Sequence, residues 1–304
     1  MKVLIVYPAD QKSVYHELKN LLGKLDIKVF PYEAAKTAES GTAGVDLSLC
    51  RKLLQSTHTI LILAGNINEA QWFTFVAGFS LGRKETSLVY IQNKNVVIPE
   101  YLKSFLWMSS LEMIEKHFDR ESHRYHYQKE IQEAKMRLVE EGIPVSTRGF
   151  FEVVGKGDRE GAKNFLRAGF SPDAKNEKGV SLLAEAVRNG QEEIMNLLID
   201  YGADVNVTSA DNGNTPLLDA ATKGNEDMLS TLIAAGADLN VQSKNGQTAL
   251  ILSVGQGSYS MTEKLLKAGA DPTISDKLGM TARKYAELFK HKAIIEALSQ
   301  ALSS

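Results

Sequence analysis

A single cysteine, Cys50, stands in 304 residues, so no disulfide can form within the chain. Neither charge sign is in excess. With 35 Lys and Arg against 37 Asp and Glu, the formal charge is −2, and the global electrostatic case for nucleic acid falls away. No apolar run approaches the roughly 20 residues that cross a bilayer. Met1 to Tyr7 is too short for a signal peptide and is patterned like a buried strand. Phosphate-cradling signatures are also missing: no Gly-x-Gly-x-x-Gly and no phosphate-loop lysine follows an apolar run in the first hundred residues. These absences point to a cytoplasmic protein with neither a membrane nor a nucleic-acid partner. What remains, 43% hydrophobic and 24% charged, suits two ordinary globular domains.

The second half carries a phrase that returns on a fixed beat. Gly179, Gly213, Gly246 and Gly279 are spaced by 34, 33 and 33 residues, and each precedes a hydroxyl residue (Ser181, Thr215, Thr248, Thr281) and an apolar helical stretch. Gly202-Ala203-Asp204, Gly236-Ala237-Asp238 and Gly269-Ala270-Asp271 keep the same period. A repeat of this length predicts a solenoid, because one unit cannot bury its own apolar face and must stack on its neighbours. Counting back 33 from Leu183 reaches Phe150, and Gly190 maps to Gly157, so a divergent unit begins near Thr147. The segment from Met280 to Leu302 keeps Thr281-Ala282 but adds Arg283, Lys284 and Glu287, as a terminal cap does. About five units are expected. Thr215-Pro216 should start a helix, Leu229, Leu232 and Ile233 should fill the space between units, and Gly236 should close a helix with positive φ.

The first half alternates strand-like and helix-like runs. Strands are expected at Val3 to Val6, Ile27 to Phe30, Thr59 to Ala64 and Ser87 to Ile91, with a short fifth at Val96 to Ile98. Helical spacing covers Ser13 to Leu25, Leu47 to Leu54 and Ala70 to Leu81, while Ala34 to Val45 reads as a loop. Strands that are apolar nearly throughout predict a parallel sheet covered on both faces. Ligands in such sheets gather beyond the carboxyl ends of the strands, here Tyr7 to Asp10, Tyr32 to Glu33, Ala64 to Ala70 and Gln92 to Lys94.

Between the halves, Leu111 to Glu141 has neither Gly nor Pro and predicts one long helix that stops at Gly142, before Ile143-Pro144. Tyr127, Ile131, Ala134 and Leu138 form a narrow stripe that should cover the end of the first repeat or pack between domains. His117, His123 and His126, with Asp119 and Glu130, lack convincing ligand spacing, and no metal site is expected.

Two families resemble these patterns. Val3-Leu4-Ile5-Val6-Tyr7 with Asp10 and Lys12, Val29-Phe30, Ser56 ahead of the third strand, and Trp72 together resemble a bacterial TIR domain, a relative of the nucleoside deoxyribosyltransferases, over roughly residues 1 to 110. The resemblance implies a flavodoxin-like fold. It also implies cleavage of the glycosidic bond of NAD by a glutamate four residues after the tryptophan. That position is Val76, and the related Glu-x-Gly-x-Ala pattern reads Val76-Ala77-Gly78-Phe79-Ser80, with Gly82 and Lys84 behind it. Glycosidic cleavage builds positive charge on the ribose, which a carboxylate can stabilise and valine cannot. Glu69, Asp10 and Glu33 are the substitute carboxylates, and Tyr7, Ala64 and Trp72 the candidate nucleotide contacts. Self-association of this domain is implied by the resemblance alone.

The second half resembles ankyrin repeats, best in Asn214-Thr215-Pro216-Leu217-Leu218-Asp219-Ala220-Ala221-Thr222-Lys223-Gly224. The family's usual histidine is replaced by Leu218, and by Ala184 and Ile251 in neighbouring units, so apolar packing should replace a hydrogen bond. The resemblance implies a concave face that binds another protein. Its candidate residues are Glu177, Lys178, Val180, Arg188, Asn189, Asp211, Asn212, Asn214, Thr222, Lys223, Lys244, Asn245, Gln247 and Gln256, a mixed set with no aromatic; Tyr201 and Tyr259 are further candidate anchors.

The expected architecture is two-domain: a flavodoxin-like, TIR-like α/β domain at residues 1–110, a helical connector at 111–142 and an all-α ankyrin solenoid at 143–304. The leading function is an adaptor with a non-catalytic TIR-like domain and no cofactor. The alternatives are an NAD glycohydrolase or nucleoside-processing hydrolase or transferase regulated by the repeats, and a sensor that binds NAD or another nucleotide without turnover.

Overall fold

The computed structural model describes residues 1–34, 47–63, 76, 86–91 and 105–302. The chain forms two compact units, Met1–Lys129 and Glu130–Ser304.

Among the described residues, the first unit is built on a five-stranded sheet of β1 (Lys2–Pro8), β2 (Lys28–Ala34), β3 (His58–Leu63), β4 (Thr86–Ile91) and β5 (Leu106–Met108). The spatial order is β2-β1-β3-β4-β5 and every pairing is parallel, with Val3 opposite both Val29 and His58. A 3₁₀ turn at Ala9–Gln11 leads into α1 (Lys12–Lys24), and α2 (Leu47–Gln55) precedes β3. Val3 and Ile5 pack with Ile60, Ile62, Leu88, Tyr90 and Met108 against Val14, Leu18 and Leu22 of α1. The alternate positions Leu4, Val6, Thr59, Leu61 and Val89 point the other way and are equally buried. Burial on both faces explains why the strands read as unbroken apolar runs. Pro31 lies inside β2 because β2 is an edge strand, where a missing N–H costs no ladder bond.

The fifth strand is Leu106–Met108, beside β4, a segment the sequence reading did not single out. The strand expected at Val96 to Ile98 lies outside the described residues, as does the loop expected through Val45 from residue 35 on.

The long helix α3 (Leu111–Glu140) buries Ile114 and Phe118 in the first unit's core. Its last turns bury Ala134 and Leu138, and Leu138 joins the core of the second unit. Tyr127, expected on the apolar stripe, is instead 58% exposed. Gly142 at φ 73 ends the helix as expected: its N–H bonds Val139 O and the Ile143 N–H bonds Leu138 O, a Schellman closure.

The second unit then stacks five helix pairs: α4 (Thr147–Lys156) with α5 (Arg159–Arg167), α6 (Leu182–Arg188) with α7 (Glu192–Asp200), α8 (Pro216–Lys223) with α9 (Glu226–Ala234), α10 (Ala249–Gly255) with α11 (Tyr259–Lys267), and α12 (Ala282–Leu288) with α13 (Lys292–Ala301). One continuous apolar cluster runs from Leu138 and Phe150 to Leu298. The hydroxyl of each phrase caps the first helix of its unit: Ser181, Thr215, Thr248 and Thr281 accept from the N–H of Ala184, Leu218, Ile251 and Lys284. Ser146 does the same for Gly149 in the divergent unit. Leu218, Ala184 and Ile251 are buried, so packing does fill the position where a histidine was expected.

A second polar ladder ties unit to unit. Asp173, Asn206 and Asn240 accept at 2.7–2.9 Å from the backbone N–H of Asp204, Asp238 and Asp271 respectively, each in the following unit. Among the described residues, no helix is long and apolar enough to cross a membrane.

Candidate functional site

Two places follow from the fold: the carboxyl edge of the sheet, and the face of the array formed by its hairpins and first helices. At the sheet edge, Asp10 lies in the 3₁₀ turn after β1 and Glu33 near the end of β2, both exposed. The Glu33 carboxylate stands 3.9 Å from Lys12 Nζ. Tyr7 is buried and stacks on Tyr15, with ring centroids 4.6 Å apart and planes 11° apart. Burial, with smaller contributions from Glu33 and Tyr15, raises its phenol pKa above the ordinary value. Val76 is helical and fully buried. Ala64, Glu69 and Trp72 lie outside the described residues.

Between the first and second helix pairs, the array opens a groove of about 660 Å³. Glu177, Lys178, Val180, Arg188 and Asp211 line it, all of them expected binding residues. Thr147, Arg148, Phe151, Lys175 and Glu185 also line it and were missed. Phe151 adds an aromatic outside the expected set; it comes from the divergent first unit, where it stands at the position of Ala184 in the next. Val180 is a second correction, because it is buried at 3% exposure and is not a free tip residue.

The structure divides the remaining expected residues by what they hold. Arg188 is heavily engaged, with four of its five N–H donors bonded: its Nε donates to Asp219 Oδ2 at 2.6 Å, its Nη1 to Asp211 Oδ2 at 2.7 Å, and its Nη2 to Asp211 Oδ1 at 3.2 Å and Asn212 Oδ1 at 3.0 Å. Asn214 completes the cluster by donating to Asp219 Oδ1 at 2.8 Å. Burial opposes the Arg188 charge, but the bonds to Asp211 and Asp219 outweigh it and leave the guanidinium pKa above its usual value. The same arginine, through its hydrogen bond, lowers the pKa of Asp211. Lys244 Nζ donates to the carbonyls of Ala210 and Asp211 one hairpin back, and Gln256 Nε2 to Thr222 O. Asn189 donates to Glu185, and the Thr222 hydroxyl to Leu218 O. Among the described residues, the side chains of Glu177, Lys178, Lys223, Asn245 and Gln247 form no bond of this kind. Tyr201 and Tyr259 are exposed, and neither lines the groove.

A profile of ankyrin repeats in three copies matches residues 150–243 and again 220–303, together half of the chain. The chain belongs to the ankyrin repeat family. It is 35% identical over 162 residues to an ankyrin repeat-containing protein of Treponema pallidum (strain Nichols), covering 53% of this chain and 54% of that one. It is 34% identical over 76 residues to an ankyrin repeat protein of Fowlpox virus (strain NVSL), covering 25% of this chain and 10% of the viral one. The chain thus spans about half the length of the first relative and a tenth of the second. Ankyrin repeats generally mediate binding to other proteins. No group of three or more His, Cys, Asp or Glu among the described residues could hold a metal. His123 Nδ1 is engaged with Asp119 O and His126 Nδ1 with Ser122 O, each at 2.7 Å.

Proposed function

We propose that this chain is a cytoplasmic interaction protein whose ankyrin array, residues 143–304, captures another protein through the face that carries the groove. The groove carries the reading: it brings the divergent first unit's Phe151 beside the first hairpin's exposed Lys178 and Glu177. Residues 1–110 form a TIR-like domain joined to the array by the connector at 111–142. The strand order β2-β1-β3-β4-β5 supports that part, being the order of flavodoxin-like sheets. In this reading the domain is not catalytic. Fully buried Val76 occupies the place where the resemblance puts a glutamate, and a hydrocarbon cannot stabilise a ribosyl cation.

Two measurements test the proposal. NAD turnover by concentrated full-length protein is expected to be absent; turnover that disappears in Glu69→Gln, Asp10→Asn or Glu33→Gln would overturn the non-catalytic reading in favour of an enzyme. Tight nucleotide binding without turnover would favour a sensor. For the array, the captured proteins are compared between the wild type and Lys178→Glu with Lys223→Glu. Both lysines are exposed and their side chains form no hydrogen bond or ion pair among the described residues, so loss of a partner reports binding, and an unchanged profile refutes the assigned face.

A further inference from the structure

The charges lining the groove are not equally available. Asp211 is held by both Nη atoms of Arg188, at 2.7 and 3.2 Å. Glu185 accepts the Asn189 amide at 2.9 Å. Arg188 has four of its five N–H donors engaged, so a bidentate arginine clamp of the kind that grips phosphate is not on offer. Lys175 and Lys178 are exposed, and among the described residues neither forms an ion pair. Arg148 meets only Glu152 on its own helix, at 3.3 Å and with its side chain 91% exposed, a pairing that a partner's carboxylate can replace at little cost. With Arg188 and Asp211 offsetting each other, these three cations face two acids, Glu177 and Glu185, and the lining keeps a net positive charge. Phe151, partly buried against the core, and Val180 supply the apolar surface between them.

We infer that the groove receives an acidic segment of a partner protein, with one apolar side chain seated on Phe151 and Val180 and carboxylates meeting Lys175 and Lys178. The inference rests on the reading of the array as a protein-binding surface and adds the chemistry of what it binds. Its volume lies in the range of small-ligand sites, so it takes a few side chains of the segment and not a domain surface. The lysines are exposed, so their contribution is screened by salt and acts strongly on partner choice and association rate.

The test is a randomised twelve-residue peptide display selected on the full-length protein, followed by anisotropy titrations with the enriched peptides in dye-labelled form. Enriched peptides are expected to be net acidic with at least one aliphatic or aromatic residue. Their affinity should fall at least tenfold with Lys175→Glu plus Lys178→Glu, and should weaken as salt rises. Both substitutions lie on exposed side chains and leave the core untouched; far-UV circular dichroism verifies the fold. Neutral or basic peptides that lose binding with Phe151→Ala, in a variant that remains folded, would overturn the acidic assignment while leaving the binding surface in place. Peptides indifferent to both sets of substitutions, or no enrichment at all, would overturn the surface and the inference together.

Discussion

Arg188 was an attractive binding residue on its sequence position, and the structure gives it a different task whose removal has a calculable cost. Its guanidinium joins the second and third units by bonding Asp219, whose side chain is 6% exposed, along with Asp211 and Asn212. Truncation in Arg188→Ala leaves a buried carboxylate facing Asn214 alone. Breaking a fully buried pair costs about 3–5 kcal/mol. Here the Arg188 side chain is 21% exposed, which admits water, and Asn214 still donates at 2.8 Å. Those two effects reduce the expected loss to about 2–3 kcal/mol. Urea unfolding followed at 222 nm reads this directly, as a midpoint lowered by roughly 1–1.5 M for a slope near 2 kcal/mol/M. The chain's two tryptophans, Trp72 and Trp107, both belong to the first unit, so their fluorescence should keep its own midpoint. The double variant Arg188→Ala with Asp219→Ala should be less destabilised than the sum of the singles, because no charge is left unpaired. A loss below about 1 kcal/mol, or strict additivity, would refute the argument that this cluster holds the two units together.

Three further outcomes follow from single positions. Lys290 sits at φ 58 where the four preceding units have Gly157, Gly190, Gly224 and Gly257 at φ 69–79. Lys290→Gly should therefore stabilise by about 1 kcal/mol and raise the thermal midpoint, and a lower midpoint would contradict this. Gly246 combines φ 82 with a neighbouring backbone that would lie 2.8 Å from an added Cβ, at Lys277 N, whereas Gly224 has nothing within 4 Å. Gly246→Ala should cost about 2–3 kcal/mol and Gly224→Ala about 1, and equal costs in urea titrations would disprove the close-approach argument.

The third concerns acid. His58 is buried, with Glu121 at 3.8 Å, and His117 and the N-terminal amine also act on it; Glu121 and Arg120 act on His117. Burial lowers both imidazole pKa values despite Glu121. Folding thus favours their neutral forms. That contribution is complete above the unfolded value near 6.5 and is lost as pH falls through the folded values. Tryptophan-detected urea midpoints should drop between pH 7.5 and 5.5, and His58→Gln with His117→Gln should flatten the profile.

How much of this was legible in the sequence depends on the range of the physics involved. The array is readable because each unit repeats a local instruction: a hydroxyl that caps a helix, a glycine that ends it, and leucines that face a neighbour of the same kind. The central strands are readable because burial on both faces leaves an unbroken apolar signature. β5 is only three residues, two of them also at home in a helix start, and its identity as a strand comes from β4 beside it. Tyr127 fits the helical stripe by spacing, yet exposure depends on what the helix is laid against, which spacing does not encode. The Arg188 cluster joins residues 23 to 31 positions apart, so an arginine read as free surface becomes structural only once the stack exists.

That last case bears on where a repeat protein keeps its specificity. Many polar bonds of the array link residues about one period apart: Asp173 with Asp204, Asn206 with Asp238, Lys244 with Ala210, Gln256 with Thr222, and Gln242 with Ser275. A polar side chain with a partner one period away is occupied in stacking, and removing it weakens the array before it weakens any complex. Side chains available to a partner are those for which the stack supplies no such neighbour. The first hairpin is the clearest instance. Ala210 of the second hairpin bonds back to Gly179 of the first, and Lys277 of the fourth to Asn245 of the third. No hairpin precedes the first, because α3 runs through Gly142 and Pro144 directly into α4. Lys175, Glu177 and Lys178 are therefore left over at that end, beside a ring that the regular units lack. The same irregularity that makes the first unit hard to recognise by its phrase is, under the proposed reading, what gives the array an end that can discriminate.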